Sequence, residues 1–135
     1  MTMTDDQKID LAHRMFAKWD TLDWDGVVDL FADDGVLHSV MGEPVVGRAA
    51  IAERMGILGA KAERLKLHIK TIGVIDGRVF VERVDDFDYD GHHAEVPVVG
   101  IMRMADDKVT EWLEYYDRPT LLAGMGIKPS EDFAH

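Results

Sequence analysis

The chain has 135 residues, enough for one domain with a sizeable core. Acidic residues outnumber basic ones by 26 to 15, a net charge of −11, which argues against nucleic acid and anionic membrane as partners, since both are bound through basic patches. There is no cysteine, which excludes disulfides and thiolate metal sites, and no apolar run is long enough to span a bilayer.

The first eight residues lack a basic region followed by an apolar run, so no signal peptide is expected and the cytoplasm is the expected compartment. Thr4-Asp5-Asp6-Gln7 fits a capping box, and Ile9, Ala12, Met15, Phe16 and Trp19 follow at helical spacing. A second helix is expected after Asp23, carrying Val27, Val28, Leu30 and Phe31 and ending at Asp33-Asp34-Gly35. Val36 to Met41 reads as a short strand stopped by Gly42-Glu43-Pro44, and a third helix after Gly47 uses Ile51, Met55 and Leu58. From Leu67 the pattern changes to period two. Four strands are expected over 67–75, 79–89, 94–104 and 109–117, joined at Asp76-Gly77, Asp90-Gly91 and Asp106-Asp107-Lys108. Pro97 suggests an edge or a bulge in the third of them, and the tail from about residue 119 is expected to be loosely structured. Three helices followed by a curled antiparallel meander make a single α+β domain over residues 1–135, with the helices on one face of the sheet.

The strand over 79–89 carries the chemistry. Alternation puts Val79, Val81, Arg83, Asp85, Phe87 and Tyr89 on its more apolar side, so a guanidinium and a carboxylate sit amid apolar neighbours. On the last strand the same counting groups Val109, Glu111, Leu113, Tyr115 and Asp117. If that face looks inward, Asp117 can approach Arg83 and Asp85. One guanidinium between two carboxylates can keep one ionised and favour a proton on the other, the pairing that general acid–base catalysis needs. A buried ion-pair network that only orients strands is the equal alternative.

Other candidates are weaker. Asp86 to Gly91 matches half of a calcium loop, but Pro97 stands where the closing glutamate should be. His92 and His93 are adjacent on a strand and point apart, so no metal site is expected. His38 reads as a structural residue. Met41, Met55, Met102 and Met104 suit a core or an adaptable apolar cavity.

Gly77 to Asp85, then Gly100-Ile101-Met102, then Lys108 to Asp117 resemble limonene-1,2-epoxide hydrolases, as does Phe31-Ala32-Asp33-Asp34 through Gly47-Arg48. Phe-Ala-Asp-Asp and Gly-Arg are shared with the wider NTF2-like, SnoaL-like and ketosteroid-isomerase-like folds. The resemblance implies a cone-shaped curved antiparallel sheet and one-step hydrolysis of a small or cyclic apolar epoxide, with no cofactor. Carried over by position, Asp117 would activate water, Asp85 would protonate the epoxide oxygen, and Arg83 would bridge the two. The apolar pocket would be lined by Leu37, Met41, Phe87 and Leu113. The family holds its water with a tyrosine and an asparagine, where this chain has Leu37 and Ser39. The resemblance also implies a homodimer through the outer face of the sheet, where Trp112 and Tyr116 would form the apolar patch. A SnoaL-like cyclase or isomerase and a non-catalytic binding cone are the alternatives.

Overall fold

The computed structural model describes residues 2–133. The order of elements is α1 (Asp5–Asp20), α2 (Trp24–Asp29), β1 (Phe31–Ser39), β2 (Val45–Val46), α3 (Arg48–Gly59), β3 (Ala62–Ile75), β4 (Arg78–Tyr89), β5 (His92–Ala105), β6 (Lys108–Tyr115) and α4 (Arg118–Met125), followed by a 3-10 turn at Pro129–Glu131. The fold is α+β, a six-stranded, curved and unclosed sheet with helices. The strand order is β2-β1-β6-β5-β4-β3.

The capping box forms as expected: the Gln7 N–H donates to Thr4 Oγ1 (3.1 Å) and the Thr4 N–H to Gln7 Oε1 (2.8 Å). Asp23 caps α2, accepting from the Gly26 N–H at 3.0 Å. Antiparallel pairing joins β3 to β4, β4 to β5 and β5 to β6. The hairpin turns take positive φ at Asp76 and Gly77, at Asp90 and Gly91, and at Asp106 and Asp107. That geometry matches the right-handed twist of the flanking strands and favours Asp and Gly.

The structure corrects the expected elements at Phe31, at β1 and in the tail. Phe31 opens β1 and is not part of α2, because α2 stops at Asp29. β1 lies parallel to β6, so it belongs to the sheet at a place that a simple meander does not provide. The tail expected to be loose contains α4. Asp117 caps it, Pro119 sits in its first turn, and Gly126 closes it with φ 72°. A cap, an early proline and a left-handed glycine are ordinary helix punctuation, so the signal was present in the sequence.

Leu11, Ala12, Met15 and Phe16 of α1 belong to the main core with Val79, Val81, Met102 and Trp112. Trp112 is 1% exposed, edge-on to Phe16 and Trp19 and stacked on Phe31. It therefore forms no outer patch, contrary to the sequence reading. Tyr116 is half-buried and lines the inner cavity, so it does not form that patch either. Among the described residues no helix is long and apolar enough to cross a membrane.

Candidate active site

On β4 the alternation holds. Val79, Val81, Arg83, Phe87 and Tyr89 are buried on one face, with Asp85 half-buried among them. Arg83 is 3% exposed, and its charge is met by four hydrogen bonds. Nε and Nη2 donate to Asp85 Oδ1 and Oδ2 at 2.7 and 3.1 Å. Nη1 and Nη2 donate to Glu114 Oε2 and Oε1 at 3.0 and 2.5 Å. The rings of Phe16 and Trp112 lie 5.5 and 5.7 Å from the guanidinium carbon, within cation–π range.

The second carboxylate is therefore Glu114, where the sequence reading expected Asp117. The cause lies in the pairing of β6 with β5. Arg103 faces Glu111 but Met104 faces Val109, which leaves Thr110 as an extra, unpaired residue. A bulge of one residue reverses which side chains point inward beyond it. Val109 is buried, and after the bulge it is Trp112 and Glu114 that share its side. Asp117 lies past the end of the strand and is exposed. Its carboxylate accepts from the Thr120 N–H (3.2 Å) and from the Thr120 hydroxyl, as the N-cap of α4.

Gly100 of β5 makes room for the pair. It stands between Val81 of β4 and Glu114 of β6 in the ladder. A Cβ there would lie 2.8 Å from Arg83 Nη1 and 3.0 Å from Glu114 Oε2. A mid-strand glycine often marks close approach by another group, and this one was a usable pointer to the site.

Burial opposes the charge on Arg83, yet Glu114 and Asp85 together hold it above its ordinary value, so it stays a cation. Burial pushes Glu114 up to about 7, against the pull of Arg83. Glu114 can thus both hold and release a proton near neutrality.

These groups line a cavity of about 160 Å³. Its wall is mostly apolar, with Met55, Leu58, Leu65, Phe87, Val98, Leu121 and Met125 among the lining residues. Of the residues expected around the pocket, Leu37, Ser39 and Phe87 line it. Met41 does not: it follows the end of β1 and is 46% exposed. Leu113 does not either, because the Thr110 bulge turns it to the opposite face from Glu114. His38 Nε2 lies 2.9 Å from the Gly42 carbonyl oxygen, a local structural bond. Asp86 and Asp88 on the outer face of the sheet accept from Arg64, at 2.6 and 3.0 Å.

A polar chain absent from the sequence reading borders the carboxylates. Tyr116 donates its hydroxyl proton to Ser39 Oγ (2.9 Å), and Arg118 Nη1 donates to the Tyr116 oxygen (2.5 Å). Ser39 pairs with Glu114 in the β1–β6 ladder.

A curved, unclosed sheet surrounds a largely apolar pocket with polar groups on its floor, a form that small-molecule sites commonly take. The family model for the SnoaL-like domain matches residues 12–112, and the chain belongs to that family. Solved structures share the fold. An LEH-like epoxide hydrolase of M. tuberculosis is similar at 21% identity and TM-score 0.78, over 90% of each chain. A candidate polyketide cyclase from Xanthomonas campestris is similar at 21% identity and TM-score 0.79, over 90% of this chain and 98% of that one. A Catenulispora acidiphila protein of ketosteroid isomerase-like fold, solved with trimethylamine, is similar at 22% identity and TM-score 0.76, over 87% and 93%.

Proposed function

We propose that this protein hydrolyses a small apolar epoxide to a vicinal diol. The observation that carries the reading is Arg83 bonded to both Asp85 and Glu114 on the floor of an apolar cavity. Epoxide opening by water needs a proton delivered to the ring oxygen and a proton removed from the nucleophile. Asp85 is assigned the first task and Glu114 the second, in place of Asp117. Glu114 suits the base because burial makes it a stronger proton acceptor than an ordinary carboxylate, and because it adjoins the polar Ser39–Tyr116 pair. Arg83 balances the charge of one ionised carboxylate while the other holds the proton. The fold shared with the LEH-like epoxide hydrolase of M. tuberculosis lends further support.

The test is a panel of cyclic epoxides scored for diol, with Asp85→Asn as the paired variant. The parent is expected to form diol, and Asp85→Asn to lose on the order of a hundredfold in kcat, since an amide cannot supply the proton. No diol from any member of the panel would sink the reading and favour a cyclase or isomerase. The same carboxylate pair could serve either, by moving protons on a carbonyl compound.

We propose that the homodimer implied by the resemblance uses a different surface from the one expected. On the outer face, Val99 pairs with Tyr115 and Ile101 with Leu113 across β5 and β6, beside exposed Pro97. Val99 and Tyr115 are 39% and 44% exposed, an apolar patch of the kind that marks contact between chains. Light scattering at micromolar concentration is expected to give twice the chain mass, and a monomer mass would overturn this assignment.

A further inference from the structure

We propose that Tyr116 is a positioning residue that makes Ser39 a hydrogen-bond donor to the water Glu114 deprotonates, a role that rests on the hydrolase reading. The count of protons fixes the direction of each hydrogen bond. A guanidinium can only donate, so at 2.5 Å from Arg118 Nη1 the Tyr116 oxygen must accept. The phenol has one proton, and it goes to Ser39 Oγ at 2.9 Å. Ser39 therefore accepts from Tyr116, and among the described residues no acceptor takes the serine's own proton. Arg118 is itself held in place by Asp132, to which its Nε donates at 3.0 Å and its Nη2 donates as well. The chain thus has one direction, from a fixed cation through Tyr116 to a serine hydroxyl whose proton is available at the cavity wall.

That wall is beside the base. Ser39 is the ladder partner of Glu114, and the Val40 N–H donates to the Glu114 carbonyl at 3.1 Å, which locks the two strands together there. A water between them accepts from Ser39 with one lone pair, donates a proton to the Glu114 carboxylate, and keeps its other lone pair for the epoxide carbon. In the step, the water oxygen bonds to that carbon as the ring carbon–oxygen bond breaks. The ring oxygen leaves with the electron pair and takes the proton of Asp85, and the water's proton passes to Glu114. Nothing is oxidised or reduced. Leu37 on the same strand offers no hydrogen bond, so the orientation of water falls to the Ser39–Tyr116 pair.

The experiment measures steady-state diol formation by Tyr116→Phe, Ser39→Ala, the double variant and Ser39→Thr, on the best epoxide of the panel. Tyr116→Phe keeps the ring and removes only the hydroxyl. Its kcat is expected to fall by about tenfold to a hundredfold, the scale on which misplaced reactants cost rate, with KM within about twofold of the parent. The double variant is expected to be no slower than Ser39→Ala, because the two hydroxyls act as one unit. Ser39→Thr keeps a hydroxyl and is expected to stay within a few-fold of the parent. Parental kcat in Tyr116→Phe, a loss carried by KM, or additive losses in the double variant would each overturn the role of Tyr116 while leaving the hydrolase reading standing. A parent that forms no diol removes both.

Discussion

Glu114→Gln is expected to lower kcat for epoxide hydrolysis a hundredfold or more, because an amide cannot take the water's proton. Asp117→Asn preserves the oxygen that caps α4 and is expected to keep the parental rate, so the two variants together separate the bonded carboxylate from the exposed one. In the parent, kcat/KM is expected to fall as pH rises through about 7, where the carboxylate pair loses the proton that the epoxide oxygen needs. Stability moves the same way. Glu114 is raised from its ordinary 4.5 to about 7 in the fold, so the folded state binds its proton more tightly than the unfolded chain does. That contribution is complete below about 4.5 and is lost as pH rises through about 7. Thermal unfolding of Glu114→Gln should therefore vary less over that window than unfolding of the parent. A Gln variant that turns over at the parental rate would remove Glu114 from the chemistry, whatever its effect on stability.

Arg83→Met is expected to be the most damaging single change. It leaves the Asp85 and Glu114 carboxylates close together without their cation, and breaking a buried pair from one side typically costs about 3–5 kcal/mol. The loss should be largest above pH 7 and smaller near pH 5, where protonation of Glu114 relieves the repulsion. Arg83→Lys restores a charge without the planar fork that makes four hydrogen bonds to two partners. It is expected to recover part of the stability and little of the rate. Denaturant unfolding at the two pH values tests this. A Met variant within about 1 kcal/mol of the parent at pH 8 would mean that the guanidinium is not what makes this carboxylate pair tolerable.

The sequence by itself determined the helices that carry their own punctuation, the four hairpin strands with their Asp-rich turns, and the inward face of β4. Alternation along a strand is a local property, so Arg83 and Asp85 could be placed on the apolar side by counting from Val79. The sequence also marked α4, through Asp117, Pro119 and Gly126, although Pro119 and Gly126 suggested a loose tail when taken as isolated loop formers and Asp117 was counted to the last strand. The partner of Arg83 was decided only in the tertiary structure. Counting by twos from Val109 leads to Leu113 and Asp117, whereas the inward residues beyond the bulge are Trp112 and Glu114. The extra residue at Thr110 is defined by which residues of β5 face β6, and nothing local to β6 reveals it. The same holds for the parallel contact of β1 with β6, which brings Ser39 beside Glu114 from a distant part of the chain. Side-chain phase along one strand follows from covalent geometry, but the phase between strands depends on hydrogen-bond register, which exists only once both strands are paired.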